Sequence, residues 1–253
     1  MKKGTVLLAV LALGALVAPL IAPYAPEALD LVNRRAAPSL AHWFGTDDLG
    51  RDVFSRALFG GRVSIAIGLL SALVAVSVGV AVGAVAGYVG GWTDAVLMRA
   101  TDAVLSMPRL LLLMVAAATL QPSVPALVVL VGAVGWMETA RVTRASVRAL
   151  AARDYVMAAL AVGAGHGRVV WHHVLANAAG AIRTAAVLAV GRAILVESAL
   201  SFFGVGVQPP AATWGSMLYQ AQSAMATEPW LALFPGACIV LTVGGLTMAA
   251  DRT

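Results

Sequence analysis

Apolar residues run along this chain in long unbroken blocks rather than in alternation. Windows near 5–23, 63–86, 101–120, 124–143, 179–199 and 231–250 are each long enough, at about 18 residues or more, to cross a bilayer as a helix. The in-and-out alternation of an outer-membrane barrel is missing. The pattern predicts an all-α polytopic membrane protein with about six transmembrane helices. Polar residues collect in three longer intervals, 24–62, 144–178 and 200–230.

Within the second block a finer pattern appears. Ser71, Ala75, Gly79, Gly83 and Gly87 recur every four residues, which aligns small side chains along one helix face. In lipid, helices associate through close packing, so five small residues in register predict a buried face against another helix.

Composition agrees with the blocks. Of 253 residues, 60% are hydrophobic and 11% charged, and the mean hydropathy is +0.89. A soluble protein carries roughly 25% charged residues. The net charge of +5 is spread over loops, where it reports orientation and contact with membrane lipid, not nucleic acid. Cys238 is the one cysteine, so the chain forms no internal disulfide and no cysteine-based metal site. The opening MKKGTVLLAV resembles a signal peptide, but its apolar run is long and ends in prolines, which favours a first membrane span.

The basic residues predict the sidedness. Lys2 and Lys3 place the N-terminus inside, and six spans return the C-terminus to that side. The 24–62 interval then lies outside, with its arginines balanced by acids. The 144–178 interval lies inside, with Arg144, Arg148, Arg153 and Arg168 against Asp154 alone, and 200–230 has no Lys or Arg. The expected organisation is a first transmembrane helix and extracytoplasmic segment over 1–62. A core transmembrane domain over 63–253 follows, with a cytoplasmic loop near 145–178.

Little in the chain suggests its own chemistry. A P-loop needs a lysine after its glycines, and the only lysines are Lys2 and Lys3. No catalytic set, metal site or cofactor is expected. His172 and His173 are adjacent and point about 100° apart on a helix, a poor joint metal site. The segment 153–177, RDYVMAALAVGAGHGRVVWHHVLAN, stands out instead. Residues 145–162 favour helix, Gly163 to Gly167 break it, and 168–175 favour a second short helix. Arg141, Arg144 and Arg148 share one helix face, open to lipid phosphates or to a docking partner.

That segment resembles the EAA loop of ABC importer permeases. Met157-Ala158-Ala159 and Gly163 match its first part and Leu175 its end, while Met157 replaces the acid and Ala176 the proline. HWFGTDDLGRDVFSRALFGGRVSIAIG, GYVGGWTDAVLMRATD, ESALSFFGVGVQPPAATWGSML and PWLALFPG follow in the order of the dipeptide, oligopeptide and nickel branch. The likeness covers nearly everything from about residue 40 and is closest to the second, C-type permease of the pair. The branch's usual G-D-G-L-R-D stretch after the last span has no counterpart before Thr253.

The resemblance implies a transmembrane subunit of an ATP-driven importer in a bacterial inner membrane, with both termini cytoplasmic. Its implied partners are a second permease subunit, two cytoplasmic ATP-binding subunits and an extracytoplasmic solute-binding protein. Closure of the ATPases would reach this chain through Ala158, Ala159, Gly163, Ala164, Gly165, His166 and Arg168, with the short helix in 163–177 as lever. Di- or oligopeptides are the expected solute, with nickel or a metal chelate as the alternative. A stand-alone secondary transporter would need coupling-ion groups near the midplane and an internal repeat, and neither is evident.

Arg192 falls near the middle of the fifth span, where a charge is costly and marks a pathway or a buried pair. Related permeases usually carry a small or apolar residue there. Two roles are open for it: facing the translocation cavity toward a peptide carboxylate, or a salt bridge to an acid on the partner permease. Glu197 is a poor direct pair, lying about 140° around the helix.

Overall fold

The computed structural model describes residues 2–120 and 123–251. The side chains of Lys2 and Lys3, on which the predicted orientation leans, and residues Arg252 and Thr253 lie outside the described residues. Among the described residues the fold is helical, with no strand.

The helices run α1 (Lys2–Leu16), α2 (Ala18–Ile21), α3 (Val53–Val89), α4 (Gly91–Leu105), α5 (Arg109–Leu120), α6 (Val124–Ala133) and α7 (Trp136–Ala151). They continue with α8 (Asp154–Ala161), α9 (His166–Arg168), α10 (Ala176–Phe202), α11 (Trp214–Ala221) and α12 (Trp230–Ala250). Residues Val169–Leu175 wind as π-helix and join α9 to α10, giving one rod over 166–202.

Among the described residues three uninterrupted spans result: α3, the 166–202 rod and α12. The other predicted spans are corrected in detail. The third and fourth are bent pairs, α4–α5 turning by 76° and α6–α7 by 42°. Ser106-Met107-Pro108 breaks the first pair, because proline lacks the N–H that would continue the helix. Val134-Gly135 breaks the second. The first block is split at Val17, just before Pro19, leaving an apolar helix over Gly4–Leu16. α3 begins at Val53, ten residues ahead of its predicted window, because Asp52 caps it by accepting the Ser55 amide at 2.8 Å.

The small-residue stripe is the seam between α3 and the α6–α7 pair. A Cβ on Gly79 would lie 2.6 Å from the Trp136 carbonyl oxygen, and one on Gly87 would lie 2.7 Å from the Arg144 carbonyl. Gly83 meets Ala140 and Thr143 in the same way. Ser71 donates to the Val128 carbonyl at 3.1 Å, and Ala75 touches Gly135. The backbones therefore approach as closely as glycine permits, as the spacing predicts.

The molecule has two distinct ends. One carries residues 22–52 and 203–229, where Phe44 stacks on Phe234 with centroids 3.8 Å apart. The other carries the 152–165 turn. α1 and α12 are antiparallel neighbours, with Gly4 against Met248, so both described termini point toward the 152–165 end.

Candidate functional site

At the 152–165 end, a buried cluster of Ala84, Val147, Val156, Val169 and Val174 fixes α8 to the ends of α3 and α7 and to the start of the rod. α8 then stops in a Schellman turn. The Gly163 amide donates to Leu160 O and the Ala164 amide to Ala159 O, both at 3.0 Å, and Gly163 has φ +89°. Ala159 and Ala164 join the apolar cluster, which supplies the hydrophobic contact of that motif.

The residues singled out in this loop divide into two kinds. Ala158, Gly163, Gly165, His166 and Arg168 are exposed, while Ala159 and Ala164 are half-buried in the support beneath them. Tyr88 anchors His166, its hydroxyl 2.7 Å from Nδ1. Three exposed apolar side chains escaped sequence reasoning: Tyr155 is 42% exposed, Met157 59% and Val162 85%. An apolar position within a long apolar composition gives no signal of exposure.

One expectation for the loop needs correction. No separate short helix follows the glycines, since 166–175 flows into α10. Ala176 carries no proline ring to interrupt the rod, and Val169 and Val174 are buried along it. The free-standing short helix precedes the turn and is α8. The arginine face of α7 is tied to α4 while Arg141 and Arg148 stay exposed. Arg144 pairs with Asp94 of α4, Arg148 lies 3.5 Å from the same carboxylate, and Arg141 pairs with Asp102.

The segment 203–214 is held from inside by Glu197 of α10, a residue that sequence reasoning treated only as a neighbour of Arg192. Glu197 is fully buried. Ser201 donates to its Oε1 at 2.8 Å and itself accepts the Val207 amide at 3.2 Å. Ser64 of α3 lies 3.5 Å from Oε2 and accepts the Trp214 amide at 3.1 Å. One carboxyl group thus ties α10, α3 and the returning segment together.

The GTDDLGRD stretch builds the same end. Asp47 accepts the Arg51 Nε at 2.6 Å and the Leu49 and Arg51 amides at 2.9 Å. His42 Nδ1 lies 3.0 Å from Asp52. Arg56, which the sequence did not single out, is buried and donates to Gln220 at 3.1 Å and to the Pro26 carbonyl at 3.2 Å. Asp30, outside the spans, is held below the usual carboxylate range by its hydrogen bond from the Asn33 side chain.

Arg192 finds its acid within this chain. Its Nε lies 2.7 Å from Glu138 Oε2 in the first turn of α7, and Arg109 of α5 approaches Oε1 at 3.9 Å. The salt bridge weighed for a partner subunit is therefore intramolecular for this carboxylate. The bend at Val134-Gly135 sets where Glu138 falls, which no local pattern predicts.

The chain is a helical membrane bundle with a buried small-residue seam and a glycine-terminated turn at one end. Residues 79–252 match the family described as binding-protein-dependent transport system inner membrane component, and the chain belongs to that family. It is similar to a putative peptide permease of Brucella suis, at 40% identity over 98% of this chain and 83% of the relative. It is 37% identical to the dipeptide transport system permease protein of Alkalihalophilus pseudofirmus, over 98% of this chain and 82% of the relative. It is 35% identical to the oligopeptide transport system permease protein of Bacillus subtilis, over 98% and 81%. The chain is thus a multi-pass inner-membrane permease subunit of an ABC importer, of the C-type that the sequence motifs suggest. Such a subunit transports rather than catalyses, and works with ATP-binding and solute-binding partners.

Proposed function

We propose that this permease imports di- or oligopeptides. The reading is supported by its relatives, three of which are named as dipeptide or oligopeptide permeases at 35% identity or more. The assembly would contain one copy of this chain, a second permease, two ATP-binding subunits and an extracytoplasmic binding protein. Residues 1–62 serve as first helix and outer segment, and 63–253 as the transport core, with α3 running through both. The 152–165 end and both termini are cytoplasmic. Without a Walker lysine the chain hydrolyses no ATP by itself.

The ATPases dock on α8 and the turn behind it. One observation carries this: Tyr155 and Met157 are exposed on the two flanks of a short helix that Val156 locks into the bundle, and Val162 is exposed at its C-cap. Exposed apolar area on a rigidly held helix suits a protein contact. Ala158, Gly163, Gly165, His166 and Arg168 border it, and Ala159 and Ala164 brace it. Movement of α8 reaches the core through the 166–202 rod, so that two states of the bundle respond to ATP.

A photocrosslinking residue at Met157 is expected to capture an ATP-binding subunit in the assembled importer, and vesicles are expected to accumulate peptide. Labelling of lipid alone, with ATPases still copurifying, would overturn the docking assignment. ATP turnover by the chain freed of partners would overturn the division of labour.

A further inference from the structure

Arg109, Glu138 and Arg192 come from α5, α7 and α10 and meet at the α6–α7 bend. Two guanidinium groups share one carboxylate, so the cluster carries a formal surplus of one positive charge. The sharing is unequal. Arg192 Nε lies 2.7 Å from Glu138 Oε2, whereas Arg109 stands 3.9 Å from Oε1, and both the Arg109 Nε and the Glu138 Oε2 are buried without a hydrogen-bond partner. Arg109 also lines the bend itself, where its guanidinium lies close to Gly135.

The cluster is not sealed within the chain. The side chains are 24%, 40% and 33% exposed for Arg109, Glu138 and Arg192. Arg192 stands ten residues before the end of α10 at Phe202, about 15 Å along the axis, which is half of a core about 30 Å thick. Three charged groups at that depth do not face lipid, so their open side meets water or a neighbouring subunit.

We propose that these three residues form an anion-recognising subsite on the translocation path that takes the carboxylate of the transported peptide. The assignment rests on the peptide reading above. Arg109 offers the terminal nitrogens of a planar guanidinium that is only loosely engaged by Glu138, a match for carboxylate oxygens. Arg192 adds a second donor from the far helix, and Glu138 fixes its orientation. The surplus of one charge fits one carboxylate, while Glu138 disfavours a dianion such as a phosphate monoester. Because the three residues lie on three helices that converge at a bend, any movement of α7 against α10 changes the spacing of the donors and with it the hold on the ligand.

The test uses the complete importer in proteoliposomes with its solute-binding protein. Uptake of trialanine and of trialanine amide is measured, each normalised to its affinity for the binding protein, together with stimulated ATPase activity. Arg109→Gln is expected to lower trialanine uptake about tenfold, the loss of roughly one charge-assisted contact. Amide uptake and ATPase activity should stay within twofold of wild type, and Arg109→Lys should restore at least half of the trialanine uptake. Should the binding protein accept trialanine alone, the split between uptake and ATPase activity decides: lost uptake with retained ATPase activity supports the subsite, and parallel loss overturns it. Equal loss for both peptides, no loss, or failure of both variants to assemble overturns the subsite and assigns Arg109 to a contact with a neighbouring subunit. A wild-type importer that carries neither peptide overturns the peptide reading itself, and with it the carboxylate as ligand.

Discussion

Glu197 and Ser64, on α10 and α3, face each other across the buried interior with oxygen atoms 3.5 Å apart, and the same serine accepts the Trp214 amide at 3.1 Å. The carboxyl group therefore reaches through a hydroxyl to the backbone of a segment far away in sequence. Ser201 repeats the arrangement toward Val207. Glu197→Gln keeps an acceptor for these hydroxyls and is expected to fold with a loss of at most about 1 kcal/mol. Glu197→Leu strands the buried hydroxyls of Ser64, Ser198 and Ser201, at about 1–3 kcal/mol each. Thermal unfolding in detergent should rank the variants wild type, Gln, Leu, and equal stability of all three would refute the anchoring role.

The α3–α7 seam makes a second prediction. A methyl group on Gly79 would meet the Trp136 carbonyl and the Thr139 side chain, both under 3 Å. Gly79→Ala should cost about 1–3 kcal/mol by overpacking. Gly244→Ala, at a helical glycine whose added Cβ meets nothing, serves as control and should be neutral or slightly stabilising. Matched unfolding temperatures for the two would show that the seam yields.

Gly163 tests the coupling turn. Its φ of +89° disfavours a β-branched side chain, although no atom lies within 4 Å of an added Cβ. Gly163→Val should distort the end of α8 at a cost of about 1–2 kcal/mol and lower coupled transport several-fold, with membrane insertion unchanged. Gly163→Asn, which tolerates the left-handed region, should keep most activity. Normal uptake by the valine variant would separate the turn from coupling.

Sidedness is checked by single cysteines in a Cys238→Ser background. Ala37 and Ala152 are exposed at opposite ends of the bundle, whereas Ser216 is buried in the cap of α11 and would label poorly from either side. A cysteine replacing Ala37 should react with an impermeant thiol reagent added outside intact cells. One replacing Ala152 should react only after the membrane is opened. The reverse pattern would invert the orientation.

How far the chain was legible differs from residue to residue. The stripe from Ser71 to Gly87 was readable because helix geometry converts a four-residue spacing directly into a face. The family motifs were readable because they are local strings. Pro108 lies inside the 101–120 window predicted as one span, and although a proline marks a break it does not give its angle; the 76° turn depends on what the two halves pack against. The run from His166 to Leu175 was misjudged for the opposite reason. Its glycines promised a second short helix, yet burial of Val169 and Val174 carried the rod on into α10.

The sequence by itself determined that the chain is a helical membrane protein, where its apolar blocks lie, which face of α3 packs, and to which transporter family it belongs. These follow from periodicity, length and local motif, each a property of neighbouring residues. Only the tertiary structure decided that Glu138 answers Arg192, that Asp94 pairs with Arg144 and Arg148 of α7, that Glu197 holds the returning segment, and that α8 is a separate short helix with apolar residues exposed. Each joins residues distant in sequence through the angles at which helices bend and cross. A charge placed in an apolar environment needs a partner, but which partner it finds depends on those angles, and the packing of the whole bundle sets them.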